Sequence, residues 1–250
     1  MASYPRFPAQ MFTDTARVHA RYILRLRRER GTEWRELIET MTPWKAQMPV
    51  EGNALPWEEF LARAVPLLDA TGSDESRADA LAAYAGPIFA AGRLAGDPSI
   101  HTWFGSFRYD RHPEREAISL HIRNNSMPRS CFEDRGQCFL WLRDLCAHAR
   151  TNPFTIRTIT CGSWLNDVPV FLGLFPPAYT AAIVPSPTDK ISGWGWWGQF
   201  IDKTGQMHKR RAEQLLSTGE FPHPRKDGQC DFAEFEEHVR RSLTTQQDRR

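Results

Sequence analysis

The sequence predicts a mixed α/β (α+β) protein in which a helical N-terminal lobe is followed by a mixed sheet flanked by helices. Two observations support this fold class. Apolar residues recur at helical spacing through roughly the first hundred residues, and the period changes to two from Ile100. Residues 117–184 then follow the order strand, helix, strand, helix, strand. This order predicts an open sheet with a crossover helix.

The N-terminal lobe is expected to contain four helices. Thr13 or Asp14 can cap the first helix, which ends near Gly31 because glycine readily adopts the left-handed conformation of a helix end. Apolar residues recur at helical spacing in all four segments, and the last of them is rich in alanine. The four helices are expected at residues 14–31, 33–40, 57–68 and 73–89.

The domain boundary is expected at the Gly-Asp-Pro-Ser turn, residues 96–99. The helical lobe then covers residues 1–96, and the α/β domain covers residues 97–243. The polar residues 244–250 are expected to be a disordered tail.

A hairpin opens the α/β domain. His101, Trp103 and Tyr109 alternate on one face of its first strand, and a polar turn over residues 110–116 leads to a second strand. In that second strand His121 and Arg123 lie on the face opposite the isoleucines. Asn125 follows in the segment that breaks the strand.

The rest of the domain alternates helices and strands. Ser130 and Glu133 have the spacing of a capping box, and a helix follows them to residue 150. A strand over residues 154–161 is expected to lie parallel to the second hairpin strand, because a helix of about twenty residues joins them. A short helix, another strand and two further helices are expected at residues 168–175, 179–184, 206–217 and 231–243.

Composition limits the possible functions. A formal net charge of +2 gives no overall attraction to phosphate, so nucleic acid is not an expected partner. The sequence has no signal-peptide pattern and no window of about 18 uncharged apolar residues, so neither secretion nor a membrane span is expected. Five cysteines without a C-x-x-C pair favour reduced thiols in a cytoplasmic protein, and no metal site is expected.

Cys161 lies where a strand stops and a helical pattern begins, next to the indole of Trp164. Ligands of open α/β sheets bind near the carboxyl ends of strands, so this is a candidate site. Cys161 and His121 on the neighbouring strand can form a thiolate and its base. The alternatives are a small buried core residue for Cys161 and a structural role for His121.

The order of hairpin, crossover helix, parallel strand, short helix and strand resembles the core of the GNAT acyltransferase superfamily. Leu120-His121-Ile122 and, about forty residues later, the run that begins at Cys161 are also similar to a divergent GNAT-like domain. The resemblance covers about residues 100–185. It implies two central strands that splay apart, with the pantetheine arm of CoA or an acyl-CoA in the gap between them.

One motif departs from that family. CoA-binding members have a Gln/Arg-x-x-Gly-x-Gly/Ala turn, whose free backbone amides hold the pyrophosphate at a helix start. The corresponding residues 125–131 contain no glycine, and Gly136 falls inside the predicted helix. Either the helix begins later than residue 130, or CoA binding is altered or lost.

The leading hypothesis is acyl transfer to a small-molecule amine or hydroxyl, with His121 as the base and Cys161 as an acid or nucleophile. Two alternatives remain, namely a non-catalytic small-molecule-binding or interaction module and a Cys/His-dependent enzyme that acts on a thioester or amide. The oligomeric state is left open. The residues expected to contact a substrate are His101, Trp103, Tyr109, Arg123, Asn125, Trp164 and Trp196.

Overall fold

The computed structural model describes residues 7–48, 55–91 and 101–247, which fold into two compact units. A helical unit contains the first two ranges and residues 187–222, and a sheet unit contains residues 101–186 and 223–247. Each unit buries an apolar core of its own. The mixed α/β (α+β) fold class is therefore confirmed.

Along the described residues of the chain, five helices of the helical unit come first and the elements of the sheet unit follow. The helical unit starts with α1 (Ala9–Arg30), α2 (Trp34–Met41), α3 (Trp44–Gln47), α4 (Trp57–Asp69) and α5 (Asp74–Ala91). The sheet unit then supplies β1 (Phe107–His112), β2 (Ala117–Ile122), α6 (Arg135–Ala149), β3 (Thr158–Ser163), α7 (Pro169–Leu172), α8 (Pro177–Ala181) and β4 (Val184–Pro185).

The chain next returns to the helical unit and finishes in the sheet unit. The last elements are α9 (Trp194–Trp197), α10 (Lys209–Thr218), β5 (Lys226–Asp231) and α11 (Phe232–Gln247). The five strands have the order β1-β2-β3-β5-β4. The pair β2–β3 is parallel and the other three pairs are antiparallel.

Several local predictions are confirmed. The helix α1 ends at Gly31, which has φ of 68° and donates its backbone N–H to the carbonyl of Arg27. The hairpin β1–β2 and the parallel pairing of β2 with β3 also form as expected. These features depend on local periodicity and on turn residues, which the sequence displays directly.

The division into units differs from the expected boundary after residue 96. Residues 187–222 cluster with the helical unit, because their aromatic side chains pack there. Trp197 meets His19 and Tyr22 of α1 edge to face, with ring centroids 4.2 and 5.6 Å apart. The expected linker at residues 96–99 lies outside the described residues, as do residues 248–250 of the expected tail, whereas residues 244–247 are helical.

Two strand predictions were wrong, and one strand was missed. Residues 179–184 form the end of α8 and a turn, and only Val184 joins the sheet. The first hairpin strand starts at Phe107, since the chain turns at Gly105, whose φ is 58°. The strand β5 was missed because its sequence, Lys-Asp-Gly-Gln-Cys-Asp, has no apolar alternation.

Among the described residues, no helix is both long enough and apolar enough to cross a membrane.

His19 makes the helical unit sensitive to acid. Its ring is fully buried and accepts a hydrogen bond from Trp44 Nε1 at 2.9 Å on Nδ1. Burial lowers the pKa of His19 from 6.5 to about 3. The unfolded chain binds this proton below pH 6.5 but the folded chain does not, so stability falls as pH drops through this window.

We expect His19 to contribute up to roughly 5 kcal/mol to the loss of stability between pH 6.5 and pH 3. His19→Gln keeps a hydrogen-bond acceptor but does not titrate. Its free energy of unfolding, measured by urea denaturation at several pH values, should therefore fall less steeply than that of the wild type. Equal slopes for the two proteins would show that His19 is not the acid-sensitive group.

Candidate functional site

The strands β2 and β3 pair over only part of their length. Their parallel register runs from Ala117 opposite Thr158 to Ser119 opposite Thr160. Beyond these positions β2 continues to Ile122 on β1, and β3 continues to Ser163 on β5. Residues 120–122 and 161–163 are therefore held by their outer neighbours but not by each other. We call the space between them the β2–β3 gap.

Side chains that flank the gap divide between two faces of the sheet. The hydroxyls of Ser119 and Thr160 lie 2.9 Å apart, which places both on one face. Side chains alternate along a strand, so His121 and Gly162 lie on this same face, the polar face. Leu120 and Cys161 lie on the opposite face, in the apolar core of the sheet unit.

His121 stands at the edge of the gap, next to charged residues of β1. Its Nε2 lies 2.8 Å from Oδ2 of Asp110, although the N–H is not aligned for a hydrogen bond. Asp110 also pairs with Arg108, the partner of His121 in the register of β1 and β2. The Arg108 guanidinium lies over the Trp103 ring, 5.8 Å from its centroid. The His121 side chain remains 41% exposed.

These neighbours shift the pKa of both His121 and Asp110. Burial and the charge of Arg108 lower the pKa of His121 below its usual value, although Asp110 opposes this. Partial burial alone raises the pKa of Asp110, but the charges of His121 and Arg108 outweigh it and lower the pKa overall. At neutral pH the site therefore combines an ionised carboxylate with a neutral imidazole, whose Nε2 is buried beside Asp110 while the rest of the side chain is partly exposed.

A second arginine lies on the other side of the gap. The guanidinium of Arg225 covers Gly162, where an added Cβ would lie 2.1 Å from its Nη2. Nη2 donates to Oδ1 of Asp227 at 2.8 Å, and the other oxygen of Asp227 accepts from Ser186 Oγ at 2.6 Å. Only glycine leaves room for this arrangement at residue 162. The polar face therefore has an Arg–Asp pair on each side of the gap.

Cys161 does not meet His121. It is only 2% exposed, and it shares the core with Tyr179, which donates a hydrogen bond to its carbonyl at 3.4 Å. Burial raises the pKa of the Cys161 thiol to about 12. Because the thiol and the imidazole lie on opposite faces, the structure does not form the expected dyad, and Cys161 occupies the position of a core residue.

The other expected substrate contacts are dispersed. Tyr109 faces α6, where its hydroxyl lies 2.9 Å from His148 Nδ1 and accepts from Asn152. Trp164 follows β3 and packs near His223, with ring centroids 5.9 Å apart. Trp196 is 2% exposed in the core of the helical unit. None of these three side chains lies on the polar face beside His121.

The remaining expected contacts lie around the start of the hairpin. His101 is close enough to influence the charge of His121, and Trp103 packs on Arg108. Arg123 follows β2, and its backbone N–H donates to the carbonyl of Ser106. Asn125 donates its side-chain amide to the carbonyl of Gly105 at 2.8 Å, which fixes the turn before β1.

The N-terminus of α6 is capped by a carboxylate, and a second carboxylate lies in the turn before it. The helix begins at Arg135, later than expected, so Gly136 lies in its first turn. Asp134 caps the helix by accepting from the backbone N–H of Gln137 at 2.9 Å. Glu133 accepts from the N–H of Ser130 at 3.1 Å. Because these negative charges oppose a diphosphate, the α6 N-terminus does not fit the pyrophosphate of CoA.

Sequence reasoning did not place three residues at the site that the structure puts there, namely Arg108, Asp110 and Arg225. Asp110 was assigned to a turn, although its two-residue spacing from Arg108 places both on one face of β1. That spacing was a usable signal once the strand boundary was known. Arg225 stands in a basic pair with Lys226 that fits either an anion contact or a solvated surface, and its position at the gap depends on the pairing of β5 with β3.

Within the described ranges, no group of three or more His, Cys, Asp or Glu side chains could hold a metal ion. No protein-family model, curated protein or solved structure matches the chain.

The pKa of His121 should respond in opposite directions to its two charged neighbours. Arg108→Gln removes a cation and should raise this pKa, whereas Asp110→Asn removes an anion and should lower it further. NMR titration of the imidazole protons measures both shifts. Arg111→Gln, an exposed change on the opposite face of β1, is the matched control and should leave the titration unchanged. A higher pKa in Asp110→Asn would contradict the arrangement.

Cys161 should resist alkylation in the folded protein. With its pKa at about 12 and little exposure, its thiolate fraction near neutral pH is about 10³-fold below that of an ordinary thiol. Peptide mass spectrometry after iodoacetamide treatment measures the rate, and the same protein in denaturant is the control. Labelling of native Cys161 as fast as a free cysteine would restore it as a candidate nucleophile.

Proposed function

We propose that this protein is an acyltransferase that moves an acyl group from a thioester to a small-molecule amine or hydroxyl. The observation that carries the proposal is the parting of β2 and β3 after Ser119 and Thr160, beside a partly exposed imidazole. An extended acyl-bearing chain in this gap would present its carbonyl carbon to the polar face. The GNAT-like order of elements, drawn from the sequence, supports the same location.

Backbone groups of both strands are available to hold such a chain. The N–H of Thr158 donates to the carbonyl of Glu116, so these two residues direct their backbone groups toward the neighbouring strand. Because this direction alternates along a strand, Ile122 and Gly162 direct theirs into the gap. The amide groups of a pantetheine-like arm can pair with them as an added strand does.

His121 supplies the base in the proposed reaction. The acceptor nitrogen or oxygen forms a bond to the carbonyl carbon of the thioester, and the carbon–sulfur bond breaks. The acceptor's proton passes to the imidazole, and the sulfur leaves as a thiolate that is then protonated. The lowered pKa of His121 keeps the ring neutral and able to accept this proton at neutral pH. Ionised Asp110 stabilises the imidazolium that forms.

The proposed acyl donor needs no contact between a diphosphate and the start of α6. The Asp134 carboxylate takes up an amide at the start of α6, where a diphosphate would otherwise bind, so the proposal assigns no diphosphate contact there. The proposed donor is a thioester of a pantetheine-like arm. A reduced, cytoplasmic setting is part of the proposal, on the basis of the odd number of cysteines.

A non-catalytic binding module is the second candidate. The occupied α6 N-terminus favours it, because a protein that no longer uses CoA loses the need for a glycine turn. Such a module would bind a ligand in the β2–β3 gap without breaking a bond. The two candidates therefore agree on the location and differ in whether His121 participates in chemistry.

We expect an S-acyl-pantetheine to raise the thermal midpoint of the full chain, and the matching acyl-CoA to bind no more tightly, because its diphosphate gains no contact at α6. His121→Gln should retain binding and lose about 10²-fold or more of the acyl-transfer rate. His208→Gln, in the helical unit, is the control and should keep both properties.

The outcomes separate the candidates. Binding of the thioester without transfer to any amine or alcohol would favour the binding module. Failure of every thioester to stabilise the protein at millimolar concentration would overturn the proposed function. Full transfer activity in His121→Gln would place the base elsewhere.

A further inference from the structure

The polar face has a cation directly across the gap from His121. Gly162 follows Thr160 by two residues, as His121 follows Ser119, so Gly162 and His121 occupy matching positions on the two strands. The Arg225 guanidinium lies over Gly162, on the side to which its Cβ would point. The imidazole and this guanidinium therefore face the gap from opposite sides.

Asp227 fixes the position of the Arg225 guanidinium, which still has a donor without an acceptor. One of its N–H groups binds Asp227, whose second oxygen is engaged by Ser186. Its Nε is buried and has no hydrogen-bond partner among the described residues. A buried donor of this kind is costly unless something accepts from it. Although Nε itself is closed to solvent, 34% of the Arg225 side chain is exposed, so a ligand can reach that exposed part of the guanidinium side chain.

The guanidinium of Arg225 is suited to bind an oxyanion, and a carboxylate matches it best. A guanidinium presents parallel N–H groups that match the two oxygens of a carboxylate. On the other side of the gap, His121 has to receive a proton from the acceptor in the proposed reaction. Neighbouring strands lie about 4.8 Å apart when paired and further apart where they separate. A ligand that carries both an anion and a proton donor is the one that would use both groups.

We infer that the acceptor is an amino acid, with its carboxylate on Arg225 and its amine directed toward His121. The amine and the carboxylate of an α-amino acid share one carbon, so the two groups span the gap at this level. The inference rests on the proposed function, since it assigns the acceptor of that reaction. The bond formed is then an amide between the acyl carbon and the amino nitrogen, and the proton released from nitrogen passes to His121.

Asp227 and Ser186 are positioning residues in this arrangement. They orient the guanidinium but do not contact the acceptor. Arg108 lies on the far side of His121 with Asp110 and Trp103, so it does not take the carboxylate. The selection between an amino acid and a simple amine is thus assigned to one side chain, Arg225.

Calorimetric titration of the full chain, without any thioester, tests the inference. The probes are the standard amino acids, each paired with the amine that lacks its carboxylate, such as phenylalanine with phenethylamine. At least one amino acid should bind about tenfold more tightly than its amine, because a charge-assisted hydrogen bond is added. Inorganic phosphate serves as a comparison for unspecific anion binding.

Variants assign the difference to Arg225. In Arg225→Gln the preference for the amino acid should disappear, whereas Arg225→Lys, which keeps the charge but loses the planar fork, should retain part of it. Arg111→Gln, on the opposite face, should retain all of it. Circular dichroism of Arg225→Gln checks that the sheet unit stays folded. If this variant is unfolded, the loss of part of the preference in Arg225→Lys tests the role of Arg225 instead.

Two results would overturn the inference. One is that no amino acid binds better than its amine, or that none binds at all. The other is a preference that persists in Arg225→Gln. Either result, combined with retained binding of an acyl-pantetheine, would reject the acceptor class and leave acyl transfer standing. Loss of thioester binding instead rejects the proposed function itself.

Discussion

The parting of β2 and β3 is the constraint on which the candidate site depends. Strand edges normally pair along their whole length, because unpaired backbone groups lose hydrogen bonds. Here β1 and β5 hold the two inner strands along their full length, so the strands can separate after Ser119 and Thr160 without unfolding. The hydroxyl contact between these two residues closes the paired part of the ladder. The register at this contact places His121 and Gly162 at matching positions on the two strands beyond the paired part.

Charge on the polar face is arranged symmetrically about this gap. Arg108 with Asp110 lies on one side, and Arg225 with Asp227 lies on the other. The first pair adjusts the protonation of His121, because the nearby cation favours the neutral ring and the carboxylate favours the charged one. The second pair presents a cation with an unused donor. A neutral base opposite a cation is suited to an acceptor that carries an amine and an anion.

The N-terminus of α6 bears on which thioester the proposed reaction would use. A glycine-rich turn leaves backbone amides open for phosphate, whereas here the side chain of Asp134 takes up the amide of Gln137. The helix is thereby stabilised by the protein's own carboxylate and dipole. In the proposed reaction the thioester therefore binds in the gap without a diphosphate contact at this helix.

The sequence by itself determined the fold class, the hairpin, the end of α1 at Gly31 and the parallel pairing of β2 with β3, because each depends on local periodicity or on a single turn residue. Only the tertiary structure decided that Cys161 and His121 lie on opposite faces. That result depends on the register between distant strands, and a shift of one residue reverses it. The polar strand β5, which places Arg225 at the gap, likewise forms only through pairing with β3. Long-range pairing, which no local pattern encodes, therefore determined the composition of the site.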